Sequence, residues 1–74
     1  MKYLTLAYFT YSDGKADKQS VYKYENVDEA VARFHNVFGY MTSTDIKSIM
    51  CVVLDAKGYT VRSEYFEKVE DVEI

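Results

Sequence analysis

His35 and Cys51 are the only histidine and the only cysteine in this 74-residue chain, and each could carry chemistry. An imidazole can move protons or ligate a metal, and a thiolate can act as a nucleophile. His35 falls about 90° from the centre of the apolar stripe of the helix on which it is placed, a flank position. Cys51 lies mid-run in a predicted central strand, where it serves as a small apolar residue. No second histidine exists, and the spacing gathers no carboxylates around His35 to complete a metal site. The acidic pairs Asp28/Glu29 and Glu70/Asp71 read as helix-start charges and a solvated tail, and their equally wet settings would not separate two carboxylate pKa values. The sequence holds no nucleophile elbow, P-loop or dinucleotide fingerprint. We therefore expect no catalytic residue, no cofactor and no metal, and a protein that is not an enzyme.

The tyrosines form the one suggestive set, eight of them beside four phenylalanines and no tryptophan. Aromatics on an open sheet can stack single-stranded bases, and they also serve protein interfaces, where a large stiff ring with a polar tip packs well. Charge separates the two uses. The net charge is −3, and the nine lysines and arginines are scattered without a block, which disfavours attraction to nucleic-acid phosphates. Protein contact is the expected use.

These side chains must be positioned by short elements. Residues 2–11 alternate in the manner of a strand, with Leu4, Leu6 and Tyr8 on one side and Tyr3, Thr5, Ala7, Phe9 and Tyr11 on the other. Asp13-Gly14 supplies a tight turn into a second strand over residues 18–25. Asn26 with Glu29 three positions later marks a helix start, and Val27, Ala30, Val31, Phe34, Val37, Phe38 and Met41 make one stripe ending near Tyr40. A third strand spans residues 47–55, and Asp55-Ala56-Lys57-Gly58 turns the chain into a fourth. The tail, residues 67–74, is acidic and short of core residues, and is expected to be frayed.

The resulting order is ββαββ in one domain, residues 1–74. A right-handed crossover from the second strand to the third leaves room for the first between them, which predicts an α+β two-layer sandwich. Its antiparallel sheet has order 2-1-3-4, with the helix on one face. The apolar strands then lie centrally and the charged ones form edges.

One helix of about 14 residues is roughly 21 Å long and can cover one face of a four-stranded sheet. Yet the run Ile49-Met50-Cys51-Val52-Val53-Leu54 is apolar on both sides, which implies a second covered surface. Placing Asp55 opposite Tyr59 sets Val53 against Val61, Cys51 against Ser63 and Ile49 against Tyr65, all beneath the helix with Leu4, Leu6 and Tyr8. The open face would carry Met50, Val52 and Leu54 beside Tyr3, Ala7, Phe9 and Tyr11. Tyr22 and Tyr24 pair with Thr5 and Tyr3 if the turn has two residues, or turn toward the helix if the loop has the opposite parity. An apolar face of this kind marks a contact site, with Met50, Val52, Leu54, Tyr3, Phe9 and Tyr11 as its expected interface residues.

The segment from Asn26-Val27-Asp28-Glu29-Ala30 through Ala32-Arg33-Phe34-His35 to Lys47-Ser48-Ile49, with the valine-rich strand and the Asp55 to Gly58 turn that follow, resembles small proteins of unassigned function from phages and conjugative elements of Gram-positive bacteria. The resemblance implies a mobile-element origin and carries over no functional residue. The expected function is a homodimer formed through the open sheet face. The alternatives are a regulator or inhibitor that binds a host protein, and third a small-ligand-binding protein. The start of the chain reads as a strand, not a signal peptide, and no apolar segment approaches the roughly 20 residues of a membrane helix. The cytoplasm is the expected compartment, and neither membrane nor nucleic acid is an expected partner.

Overall fold

The computed structural model describes residues 2–12 and 14–68. It runs β1 (Tyr3–Tyr11), β2 (Lys18–Tyr24), α1 (Val27–Phe38), a 3-10 turn (Gly39–Thr42), β3 (Ile46–Asp55) and β4 (Thr60–Glu67). All neighbouring strands pair antiparallel, in the order β2-β1-β3-β4. This is the ββαββ arrangement that the sequence predicts. Of the residues grouped with the acidic tail, Glu67 closes β4, and just beyond the strand the Lys68 N–H donates to the Lys47 carbonyl at 2.9 Å. Residues 69–74, the rest of that tail, lie outside the described residues, as does Asp13 of the first turn.

α1 starts where its capping chemistry dictates. Asn26 has extended backbone, and its side-chain oxygen accepts a hydrogen bond from the Glu29 N–H at 2.8 Å, satisfying one of the free donors of the first turn. Ala30, Phe34 and Val37, at four- and three-residue spacing, are buried. The helix stops at Phe38 because the chain tightens into the 3-10 turn, with Gly39 in ordinary right-handed conformation.

The core lies between α1 and the odd-numbered residues of the two central strands. Ala7, Phe9, Ile49, Cys51 and Val53 are buried with Ala30, Phe34, Val37 and Ile46, while Tyr3 and Tyr11 pack against them. This reverses the side expected for β1: Leu4, Leu6 and Tyr8 face away from the helix, and Tyr3, Ala7, Phe9 and Tyr11 lie beneath it. Apolar volume favours the leucines as core residues, but a helix laid across a sheet needs small side chains under its axis. β1 offers Thr5 and Ala7 there, both with no exposed surface. The Thr5 hydroxyl donates to the Ala30 carbonyl at 2.9 Å and ties the helix to that face.

The register of the first hairpin runs from Tyr3 opposite Tyr24 to Phe9 opposite Lys18, the parity that sets Tyr22 against Thr5. Tyr22 and Tyr24 therefore share a face with Thr5 and Tyr3, and that is the helix face. Arg33 fixes them there. Its Nε donates to the Tyr24 hydroxyl at 2.9 Å, and its guanidinium lies 4.5 Å from the centre of the Tyr22 ring.

The second hairpin departs from the predicted register. The Asp55 N–H does donate to the Tyr59 carbonyl at 2.9 Å, and Gly58 takes the left-handed conformation, φ 88°, that closes such a turn. A bulge follows, so that Leu54 faces Thr60 while Val53 faces Arg62. One extra residue flips every side chain beyond it. Cys51 thus faces Glu64 instead of Ser63, Ile49 faces Phe66 instead of Tyr65, and Tyr65 lies across from Met50. No burial pattern enforces the other register, because α1 packs on β1, β2 and β3 while every residue of β4 is exposed.

Candidate interaction surface

The strand registers assemble the face away from the helix row by row. Lys23, Leu4, Leu54 and Thr60 form one row across the sheet, Val21, Leu6, Val52 and Ser63 the next, and Gln19, Tyr8, Met50 and Tyr65 the third. Beyond them Thr10, Ser48 and Glu67 make a polar end, with the Thr10 and Ser48 hydroxyls hydrogen-bonded to each other. The result is an apolar centre of Leu4, Leu6, Tyr8, Met50, Val52 and Leu54, flanked by Val21 and Tyr65. Polar residues rim it, an arrangement typical of protein interfaces.

Exposure follows the same layout. Leu4, Leu6, Val52 and Leu54 are half-buried by their neighbours in the sheet, whereas Met50 is 41% exposed, Val21 48% and Tyr65 60%. Two tyrosines are anchored at their tips: the Tyr8 hydroxyl donates to Asp17 at 2.6 Å, and the Tyr65 hydroxyl to Glu67 at 3.2 Å. The carboxylate beside it, with lesser help from desolvation, raises the Tyr8 pKa above its ordinary value.

Of the six expected interface residues, the structure brings Met50, Val52 and Leu54 together on this face. Tyr3, Phe9 and Tyr11 are on the other side of the sheet: Phe9 is 5% exposed and makes an edge-to-face contact with Tyr40, 6.1 Å between centroids. Their places are taken by Leu4, Leu6 and Tyr8 from β1, and by Tyr65 through the bulge. The signal for β1 was present in the pairing of the two central strands. Ala7 and Thr5 match the small and branched residues Cys51 and Val53 across the ladder, and Leu6 matches Val52.

No protein-family model matches the chain, and no curated protein or solved structure is significantly similar to it.

The remaining chemistry is sparse among the described residues. His35 is exposed on α1, its ring edge-on to Phe34 at 5.4 Å. Cys51 is buried, and desolvation pushes its thiol up to about 11, the protonated and unreactive state at neutral pH. No three His, Cys, Asp or Glu side chains are grouped to hold a metal ion. No buried side-chain nitrogen or oxygen lacks a hydrogen-bond partner. The sequence did not reveal a cavity of about 280 Å³ on the helix side, lined by Phe9, Tyr11, Tyr22 and Tyr40 with Lys18 and Asp45. It sits at the small end of ligand pockets, His35 does not line it, and Lys15 engages its Asp45 at 3.2 Å.

Proposed function

We propose that this protein is a non-enzymatic interaction module that self-associates by closing its open sheet face on the same face of a second copy. The observation that supports this is the three-row apolar face, which the single helix leaves uncovered on the opposite side of the sheet. Burying apolar surface of this kind is the main favourable contribution to association, roughly 25 cal/mol per Å² removed from water before the cost of lost freedom. A self-complementary patch favours a two-fold pair, because such a contact closes on itself. Two sheets packed this way would lie about 10 Å apart with interleaved side chains, making a sandwich of two sheets with a helix on each outer face. Cys51, a lone buried thiol, suits a reducing compartment, and we place the protein in the cytoplasm.

A second reading gives the same face to a different protein, encoded by the host of a mobile element. The net charge of −3 favours a basic partner in that case.

Sedimentation at micromolar concentration distinguishes these outcomes. The wild type should associate, and Met50→Lys with Leu54→Lys should reduce its mass while the fold persists. An identical sedimentation profile for the wild type and the double variant would contradict self-association through this face. In the second reading the purified face stays uncovered until a basic partner is added.

A further inference from the structure

We propose that β4 forms a second contact between copies of this chain, pairing edge to edge with β4 of another copy in a register that its own charges select. This contact uses the backbone edge of β4, which Ser63 and Tyr65 share with the rim of the open face, and it does not rest on the pairing proposed above.

β4 is an edge strand, and all of its residues from Thr60 to Glu67 are exposed. The Lys68 N–H donates to the Lys47 carbonyl, and antiparallel pairs alternate between bonded and non-bonded. Carried along the ladder, this alternation points the backbone groups of Phe66, Glu64 and Arg62 toward β3, opposite Ile49, Cys51 and Val53. Those of Ser63, Tyr65 and Glu67 point outward. An antiparallel second copy can bond only outward residues to outward residues, so only every other register is available.

Charge chooses among these registers. Centring the pair on Arg62 sets that arginine against itself, and centring it on Glu64 opposes two carboxylates. Centring it on Ser63 places Arg62 opposite Glu64 of the second copy and Glu64 opposite its Arg62, two favourable cross-strand pairs related by the two-fold axis. A further shift, to Tyr65, shortens the pairing and loses both charge pairs. The other edge of the sheet lacks this complementarity. β2 carries Lys18 and Lys23 and no acidic residue, the like-charged edge that resists pairing.

The register puts Ser63 on the axis, about 5.5 Å from its counterpart between Cα atoms, within the span a disulfide can bridge. Residues two positions away would be too far from their own counterparts. The test is oxidation of Ser63→Cys and Tyr65→Cys by oxidised glutathione at low micromolar protein, followed by electrophoresis without reductant. Cys51 is buried and does not compete. Ser63→Cys should form a crosslinked dimer and Tyr65→Cys should not, with the same outcome in the Met50→Lys, Leu54→Lys background. Arg62→Glu should weaken the association about tenfold, and Arg62→Glu with Glu64→Arg should restore it. Failure of Ser63→Cys to crosslink, or equal crosslinking of Tyr65→Cys, would overturn the edge contact while leaving the open-face pairing to its own tests. Crosslinking abolished by the open-face substitutions would overturn it as a separate contact.

Discussion

The Thr5 hydroxyl donates a hydrogen bond to the Ala30 carbonyl at 2.9 Å, joining β1 to the start of α1 with both residues shielded from solvent. This bond marks the side of β1 that meets the helix, and so the side that is left open. Thr5→Val keeps the shape and removes the donor. It should cost about 1 kcal/mol, the usual net worth of such a bond. Thr5→Leu should cost about 1–3 kcal/mol by overfilling a packed site. Urea unfolding of the three proteins checks both values.

The helix start offers a second measure. Replacing Asn26 by Ala removes the acceptor for the Glu29 N–H and should lower stability by about 1 kcal/mol, whereas Asn26→Asp or Asn26→Ser should leave it nearly unchanged. Thermal unfolding followed by circular dichroism reads the difference.

Alkaline pH should weaken the fold through two groups. Burial raises the Cys51 thiol from 9.0 to about 11, and the bond to Asp17 raises Tyr8. In both cases the folded state favours the protonated form more than the unfolded chain does. The stabilisation is therefore fully present below the unfolded pKa and is lost as pH rises through the folded one, between 9 and about 11 for Cys51. Below pH 9 the thiol should react with a disulfide reagent only on unfolding. Asp17→Asn should bring the Tyr8 titration back toward the ordinary phenol range, as followed by carbon-13 shifts of the ring.

Sequence patterning was a good guide to topology and a poor one to faces. The Asn26 cap, the stripe through Ala30, Phe34 and Val37, and the excess apolar content of the 49–54 run sufficed for element order, strand order and the existence of an open face. Which side of β1 meets the helix depends on how closely two backbones approach. Thr5 and Ala7 win that position by being small, which a count of apolar residues does not register. The bulge in the second hairpin adds one residue where β4 lies beyond the helix, so neither register breaks a burial pattern. Tyr22 and Tyr24 illustrate the first effect: the sequence leaves two parities open for their strand, and their face follows from their pairing with Tyr3 and Thr5 on the helix side of β1.

Met50 lies in the third row of the open face that a second copy is proposed to cover, directly between Tyr8 and Tyr65. Its methyl group, labelled with carbon-13, can be observed in the presence of a soluble gadolinium chelate while the protein is diluted through its association range. Met41, packed against the core on the helix side, provides the internal reference. Pairing of the open faces predicts that Met50 is protected from the chelate at high concentration and becomes accessible on dilution, while Met41 does not change. A Met50 signal broadened equally at every concentration, in a protein that sedimentation shows to be associated, would contradict it.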